Sequence, residues 1–326
     1  MTTMKKKSTI KTIKRPAAFA RRRAPLRLTR ILVTTDFSEE SKTALPYAAA
    51  LADRLRSEVV LLNVLEPPPR FAGLESVMLL QSGDATMGRL YAGLDALAGR
   101  AFRNKSRVET HVRTGKPYRE IIKAARDLEA SLLVMATHGY GGLKHAFLGS
   151  TTERVVRHAP CPVLAVRGGT GNSASAAKSP VVRHVLLATD FSDNSAKAFP
   201  WAQSFADTFG ARLTLMHVVE RFPIDAMLGQ QLTRDASERL ISESQVHLGE
   251  LAQNLGSEGG PPADYVTRFG KPFDEITRGA KEMGASLIVL STHGHTGLKR
   301  TYLGSVAERV VRHAHCPVLV VREAKR

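Results

Sequence analysis

An internal duplication constrains the fold of this chain more than any other feature of its sequence. Three segments recur: ILVTTDFS (31–38) as VLLATDFS (185–192), TGKPYREI (114–121) as FGKPFDEI (269–276), and CPVLAV (161–166) as CPVLVV (316–321). Between 137–167 and 292–322, 22 of 31 aligned positions are identical. The offset of 154 to 155 residues is the length of a domain and not of a solenoid unit, so the sequence predicts two copies of one domain.

The predicted organisation follows from where the similarity begins and ends. The two domains are predicted at 28–167 and 183–322, and a short tail follows at 323–326. Between the domains, 168–182 is rich in Gly, Ser and other small residues, which is typical of a flexible linker.

Each copy alternates short, β-rich apolar runs with longer helical stretches. In the first copy, strands are predicted at 30–35, 58–65, 106–112, 131–137 and 161–167, and helices at 39–56, 74–103, 117–129 and 150–159. Runs such as SLLVMA and VVLLNV are continuously apolar, as expected for strands covered by helices on both faces. The pattern predicts an α/β fold with a doubly wound parallel sheet in each copy, and such sheets bind ligands at the carboxyl ends of their strands.

Charge and cysteine content narrow the function classes. The formal net charge is +17, but ten of these charges lie in residues 1–27, where no acidic residue occurs. That tail lacks apolar periodicity, and three interpretations stay open: a disordered extension or early start codon, an arm for an anionic partner such as nucleic acid, and an organelle transit segment. The sequence has two cysteines, no apolar run long enough to span a bilayer and no signal core. These features favour a cytoplasmic protein without membrane association.

Polar residues and glycines follow the first and fourth strands of each copy. The first strand ends in Thr35-Asp36 or Thr189-Asp190, and a Gly-Ser pair, Gly149-Ser150 or Gly304-Ser305, opens a helix after the fourth. A helix N-terminus offers unpaired N–H groups and a positive dipole end, which favour a phosphate group. A carboxylate at the adjacent strand end is suited to ribose hydroxyls, although a Ser before a helix is more often only a cap.

These motifs resemble the universal stress protein family, here in tandem. The resemblance rests on the opening TDFS and on THGxxGLKxxxLGS…ERVVRHAxCPVL in each copy. It implies two Rossmann-like five-stranded parallel sheets of strand order 3-2-1-4-5. It also implies antiparallel pairing of the last strands as an intramolecular pseudo-dimer, with a further homodimer as an additional expectation. Such pairing separates Cys161 and Cys316 by ~20 Å, too far for a disulfide.

The family's nucleotide-binding branch holds ATP with a G-x2-G-x9-G-S/T motif, and the resemblance implies the corresponding positions here. In the first copy these are Thr35, Asp36, Val64, Ala136, His138, Gly139, Gly149, Ser150, Thr151 and Thr152; in the second they are Thr189, Asp190, Val218, Ser291, His293, Gly294, Gly304, Ser305 and Val306. The motif's first glycine is replaced by Ala136 and Ser291, which weakens both sites if the backbone there requires a positive φ. Because Thr152 is replaced by Ala307 in the second copy, we expect the first site to bind ATP more tightly.

The function predicted from the sequence is stress-response nucleotide binding. ATP, with any Mg²⁺ held mainly by its phosphates, is expected in one or both domains with little or no turnover. The sequence shows no Walker lysine motif and no positioned base, and His138 and His293 are interpreted as turn-shaping or ligand-contacting residues. Two alternatives stay open: an interaction protein with degenerate sites, and a slow ATPase or a nucleic-acid-associated protein that uses the basic tail.

Overall fold

The computed structural model describes residues 28–67, 75–102, 107–137, 148–167, 182–220, 230–257, 263–292 and 304–322. The basic tail at 1–27, most of the predicted linker and the tail at 323–326 lie outside these ranges. The domain boundaries given above therefore stay predictions. Within the described ranges, no helix is both long and apolar enough to cross a membrane.

Both halves follow the predicted order of elements. The first half contains β1 (Arg30–Thr34), α1 (Glu39–Lys42), α2 (Leu45–Leu55), β2 (Glu58–Leu65), α3 (Glu75–Ala101), β3 (Val108–Thr114), α4 (Pro117–Asp127), β4 (Leu132–Ala136), α5 (Ser150–His158) and β5 (Val163–Val166). The second contains β6 (His184–Ala188), α6 (Asp193–Ala196), α7 (Phe199–Phe209), β7 (Arg212–Glu220), α8 (Gln230–Ser257), β8 (Asp264–Gly270), α9 (Pro272–Glu282), β9 (Leu287–Ser291), α10 (Ser305–His313) and β10 (Val318–Val321).

The prediction of a single helix at 39–56 is wrong in one respect, because the structure has two helices there, α1 and α2. Pro46 lies in the first turn of α2 and has no N–H to donate to the preceding turn. The backbone instead tightens at the junction, where Thr43 bonds to the carbonyl of Glu40 and Ala44 to that of Ser41. The break leaves α1 as a short turn of helix directly after β1.

The strand order predicted for each half is confirmed, and the two halves form one continuous sheet. Its order is β3-β2-β1-β4-β5-β10-β9-β6-β7-β8. All pairs within a half are parallel, whereas β5 and β10 pair antiparallel with Leu164 opposite Leu319. The two halves therefore meet edge to edge, as the predicted pseudo-dimer requires.

The register at this seam separates the two cysteines. Ala165 lies opposite Val318, so Cys316 is level with Arg167, six residues along the strand from Cys161. That offset corresponds to ~20 Å of extended chain. Both thiols are free and buried, and burial raises the pKa of Cys161 and of Cys316 to about 12.

Helices cover both faces of the sheet, which explains the continuously apolar strands. In β1, Ile31 and Val33 belong to the core on the side of α2, α3, α7 and α8, whereas Leu32 belongs to the core on the side of α4, α5, α9 and α10. All three side chains are fully buried. Burying a side chain of this size stabilises the fold by roughly 1.5–3 kcal/mol, so the central strands hold the sheet rigidly beneath its carboxyl edge.

Candidate functional site

The turn after β1 is built by a chain of side-chain hydrogen bonds. The N–H of Phe37 donates to Thr35 Oγ1 (3.0 Å), which lies 2.9 Å from Ser41 Oγ, and Ser41 Oγ donates to the carbonyl of Ser38 (2.9 Å). Phe37 has a φ of 65°, an unusual value for a bulky residue, and the bond to Thr35 holds it there. The turn ends at Ser38, whose hydroxyl caps α1 by accepting from the N–H of Ser41.

Asp36 is fixed within this turn. Its Oδ1 accepts hydrogen bonds from the N–H of Ser38 (3.0 Å) and from the hydroxyl of Ser38 (2.5 Å). The second half repeats this geometry at Asp190, with bonds of 3.1 and 2.6 Å from Ser192. Each carboxylate is therefore half-buried and oriented at a strand end before any ligand arrives.

The sheet register shows which predicted residues converge on Asp36. Because Thr34 pairs with Leu62 in β2 and Val33 pairs with Val134 in β4, Asp36 continues level with Val64 on one side and with Thr137 on the other. The point between β1 and β4 is where the strand order reverses, and it is the usual ligand crevice of such a sheet. By the same register in the second half, Asp190 lies level with Val218 and Thr292.

One position beneath this crevice differs between the halves and was missed by sequence reasoning. Asn63 Nδ2 donates to the carbonyl of Thr35 (2.8 Å), whereas the second half has His217, whose Nδ1 lies 2.8 Å from the carbonyl of Thr189. Since a carbonyl only accepts, Nδ1 of His217 carries the proton. The His217 ring also packs against Phe191 in a tilted arrangement, with 4.4 Å between centroids and 33° between ring planes. The sequence does carry a signal for this position, because Asn63 and His217 are polar residues at the same repeat position inside otherwise apolar strands.

The N-termini of α5 and α10 lie beside the same crevices. The N–H of Gly149 donates to the carbonyl of Thr137 (2.9 Å), and the N–H of Gly304 donates to that of Thr292 (2.8 Å). These bonds hold the start of each helix against the end of β4 or β9. Contacts between α1 and β4 bring the Asp36 turn to the same place.

These two helix starts lack the capping found at α1 and α6. Gly149 and Gly304 are the N-caps and make no side-chain capping bond, whereas Ser38 and Ser192 cap their helices. Ser150 and Ser305 are exposed residues at the first helical position. Neither serine is therefore the N-cap of its helix. The first intrahelical bond of α5 runs from Glu153 to Gly149, so the N–H groups of 150–152 precede the helical bonding pattern.

Thr152 does not have the role expected for it. Its side chain is buried at 3% exposure, and its hydroxyl donates to the carbonyl of Ala136 (3.0 Å). The hydroxyl proton is therefore used inside the domain and is not offered to a phosphate. Thr152 therefore adds no phosphate donor to the first site, and tighter ATP binding by that site stays a prediction.

The replaced motif glycines fit their backbone. Ala136 and Ser291 are the last residues of β4 and β9, in regular parallel pairing. Among the described residues other than glycine, positive φ values occur at Phe37, Arg56, Glu129 and Phe191. Ala and Ser therefore cause no backbone strain at these two positions.

The structure brings together most of the predicted site but not all of it. Thr35, Asp36, Val64, Ala136, Gly149, Ser150 and Thr151 lie at one crevice, and Thr189, Asp190, Val218, Ser291, Gly304, Ser305 and Val306 lie at the other. His138, Gly139, His293 and Gly294 lie outside the described residues. Within the described ranges, no cluster of three or more His, Cys, Asp or Glu is arranged to hold a metal ion.

The fold and site define a class: duplicated, doubly wound α/β proteins in which a strand-end carboxylate lies beside an uncapped helix N-terminus at each switch point. A profile of the universal stress protein family matches residues 27–167 and 182–322. The chain therefore belongs to the universal stress protein family, with two family domains in tandem.

Individual relatives agree with this assignment. A universal stress protein of Mycolicibacterium smegmatis is 27% identical over 304 residues, covering 90% of this chain and 96% of that protein. One from Methanocaldococcus jannaschii is 37% identical over 144 residues, covering 44% of this chain and 84% of that protein. The crystal structure of a universal stress protein from Archaeoglobus fulgidus has a TM-score of 0.61 at 22% identity, covering 91% of this chain and 99% of that one, which supports the fold.

Proposed function

We propose that this chain is a stress-response protein that binds ATP in the crevice at Asp36, in the one at Asp190, or in both. The single observation that carries the proposal is the pairing, in each half, of an uncapped helix N-terminus with an oriented carboxylate at the switch point of the sheet. Family membership supports it, because this family includes a nucleotide-binding branch whose motif this chain shares except at the first glycine, replaced here by Ala136 and Ser291.

Each part of ATP has a counterpart in the first crevice. The N–H groups at 150–152 and the hydroxyl of Ser150 are suited to phosphate oxygens, which the helix dipole also favours. Asp36 is suited to accept from the ribose hydroxyls, and the backbone at Val64 is suited to the adenine edge. Glu153, the acidic residue of the first turn, is paired with Arg157 at 2.7 Å, which reduces its repulsion of phosphate.

We propose binding with little or no hydrolysis. Fast phosphoryl transfer requires a group that orients the attacking water and cations that neutralise the developing charge. Asp36, an acidic residue at the crevice, is instead held in its turn by Ser38. Any Mg²⁺ is expected to be held mainly by the phosphates themselves.

The test is equilibrium dialysis of the full chain with labelled ATP, combined with mass spectrometry of nucleotide released from freshly purified protein. We expect saturable binding of one or two ATP per chain, and phosphate release no faster than in a control without protein. Absence of binding at millimolar ATP would contradict the proposal and favour an interaction protein with degenerate sites. Rapid phosphate release would contradict the proposed lack of turnover.

A further inference from the structure

The two outer edges of the ten-stranded sheet differ in chemistry. On β3, Glu109 lies 3.7 Å from Arg107 and 3.6 Å from His111. Arg113 pairs with Asp127 at 2.9 Å, but Arg268 of β8 pairs with Glu282 at 2.6 Å in the same way, so this pair is common to both edges. Charged side chains along an edge strand discourage another chain from pairing with it. The outer edge of the first half is therefore protected against pairing with another chain.

The outer edge of the second half carries exposed apolar side chains instead. Tyr265 and Phe269 on β8 are 49% and 36% exposed, and Val246 on the adjoining helix α8 is 61% exposed. The tyrosine ring lies against α8, since a Cβ added at Gly249 would be 3.3 Å from its hydroxyl oxygen. The equivalent positions of β3 are Thr110 and Thr114. Exposed aromatic residues on an edge strand mark a surface suited to pairing.

The backbone of these residues faces outward. In the first half, the carbonyl of Arg107 accepts from Val59 and the N–H of Gly115 donates to Leu65, so β3 residues of odd number direct their backbone groups toward β2. The registers of β3 on β2 and of β8 on β7 are equivalent, with Gly270 in the place of Gly115. The N–H and carbonyl groups of Tyr265, Thr267 and Phe269 therefore point away from β7.

We propose that a second copy of this chain pairs with this edge, with β8 antiparallel to its counterpart about a two-fold axis at Thr267. This register places Thr267 opposite itself and Tyr265 opposite Phe269 of the partner on both sides of the axis. All three residues then form hydrogen-bonded pairs, because their backbone groups all face outward. Cross-strand aromatic pairs and Thr–Thr pairs stabilise such contacts.

The pattern identifies the occupant as a second copy because it is self-complementary. An isologous two-fold contact requires that the same patch match itself, and Tyr265 and Phe269 place aromatic side chains at equal distances on either side of Thr267. Residues on the other face also fit, because Arg268, which pairs with Glu282 of α9 at 2.6 Å, lies opposite the apolar Val266 and not opposite a like charge. The chain already joins its own halves by this kind of antiparallel edge contact at β5 and β10.

The first experiment measures the mass of the full chain by sedimentation velocity from micromolar to near-millimolar concentration. The proposal predicts a species of twice 35.5 kDa at high concentration. Tyr265→Lys with Phe269→Lys is expected to raise the dimer dissociation constant by at least about tenfold, because it removes the aromatic pairs and places like charges directly opposite each other in the proposed register. The matched control, Thr110→Lys with Thr114→Lys on β3, is expected to leave it unchanged. Circular dichroism checks that both variants are folded.

A second measurement needs no variant. Hydrogen exchange on the wild-type chain is expected to show slow exchange at the amides of Tyr265, Thr267 and Phe269 at high concentration and faster exchange on dilution. The outward amides of Thr110, Val112 and Thr114 are expected to exchange quickly at both concentrations. A 35.5 kDa species throughout, a dimer weakened equally by both pairs of substitutions, or β8 amides insensitive to concentration would each overturn the proposal.

Discussion

The hydroxyl of Thr152 donates a hydrogen bond to the backbone carbonyl of Ala136 across 3.0 Å and ties the first turn of α5 to the end of β4. The second half exchanges the residue types at these positions, with Ala307 in α10 and Ser291 at the end of β9. The hydroxyl in α5 therefore positions the N-terminus of this helix and points into the domain, away from the crevice.

Thr152→Ala is predicted to lower the free energy of unfolding without changing ATP affinity. The substitution leaves a buried carbonyl without its donor, which costs about 1–3 kcal/mol. Urea unfolding and ATP titration measure the two effects separately, with Thr110→Ala, at a half-buried position of β3 away from the crevice, as the control. Lost ATP affinity with unchanged stability would instead make Thr152 a ligand contact.

Because carboxylates lie at the strand ends, we predict that the protein binds ATP more tightly than dATP. If Asp36 and Asp190 accept from the 2′-hydroxyl, dATP should bind roughly tenfold more weakly than ATP, as expected for loss of a hydrogen bond to a charged group. Asp36→Asn with Asp190→Asn should reduce this ratio, since the amide oxygen still accepts from Ser38 or Ser192 while the charge is gone. Competition titrations measure the ratio, and equal binding of the two nucleotides by the wild type would exclude this role.

The free energy of unfolding is predicted to fall on mild acidification because of His184. Burial, together with the Arg212 guanidinium beside it, lowers the pKa of His184 below its ordinary value of 6.5. The unfolded chain therefore binds the proton more readily than the folded one, so the free energy of unfolding is maintained above pH 6.5 and decreases as the pH drops below it.

The first half supplies a matched replacement for this residue. It has Arg30, paired with Glu58 at 2.8 Å, where the second half has His184 and Arg212. The double variant His184→Arg with Arg212→Glu should therefore lose less stability than the wild type between about pH 7.5 and 5.5. Calorimetry at both pH values provides the comparison, and identical losses in the two proteins would show that His184 is not responsible.

Both cysteines are predicted to be inert in the native protein. The thiolate is the reactive form, and with a pKa of about 12 neither Cys161 nor Cys316 contains much of it at neutral pH. A thiol reagent should label neither residue in the folded chain and both after unfolding in denaturant. Labelling of native protein within minutes, or an intramolecular disulfide under oxidising conditions, would contradict the seam geometry.

The repeat and the apolar runs were sufficient to predict the order of elements, because strands such as β1 and β4 are buried on both faces and their sequences record it. The strand order and the antiparallel seam at Leu164 and Leu319 needed the family resemblance. Periodicity shows that a strand is buried but not which strand is its neighbour. The prediction of one helix over 39–56 followed the apolar pattern and passed over Pro46. In a continuous helix this proline would lie in the interior and break it, whereas in the structure it lies in the first turn of α2.

At the site, residue types located the crevice but not the direction of each side chain. Thr152 and Ser150 are both hydroxyl residues in the first turn of α5, yet one points into the domain and the other is exposed. Likewise, the support that Asn63 and His217 give to the strand-end turns depends on register between β1 and β2, or β6 and β7. Such tertiary hydrogen bonds are not encoded in spacing along the chain.

The most direct test of the proposed nucleotide binding is titration calorimetry of ATP on the wild type, Ser150→Pro, Ser305→Pro and the double variant. Proline is well tolerated at the first helical position, as in α4 and α9, so each substitution removes one N–H and one hydroxyl without breaking the helix. We predict that each single variant weakens binding in its own half by about tenfold or more, and that the double variant retains no strong site. A folded double variant that binds ATP with wild-type affinity would contradict the account.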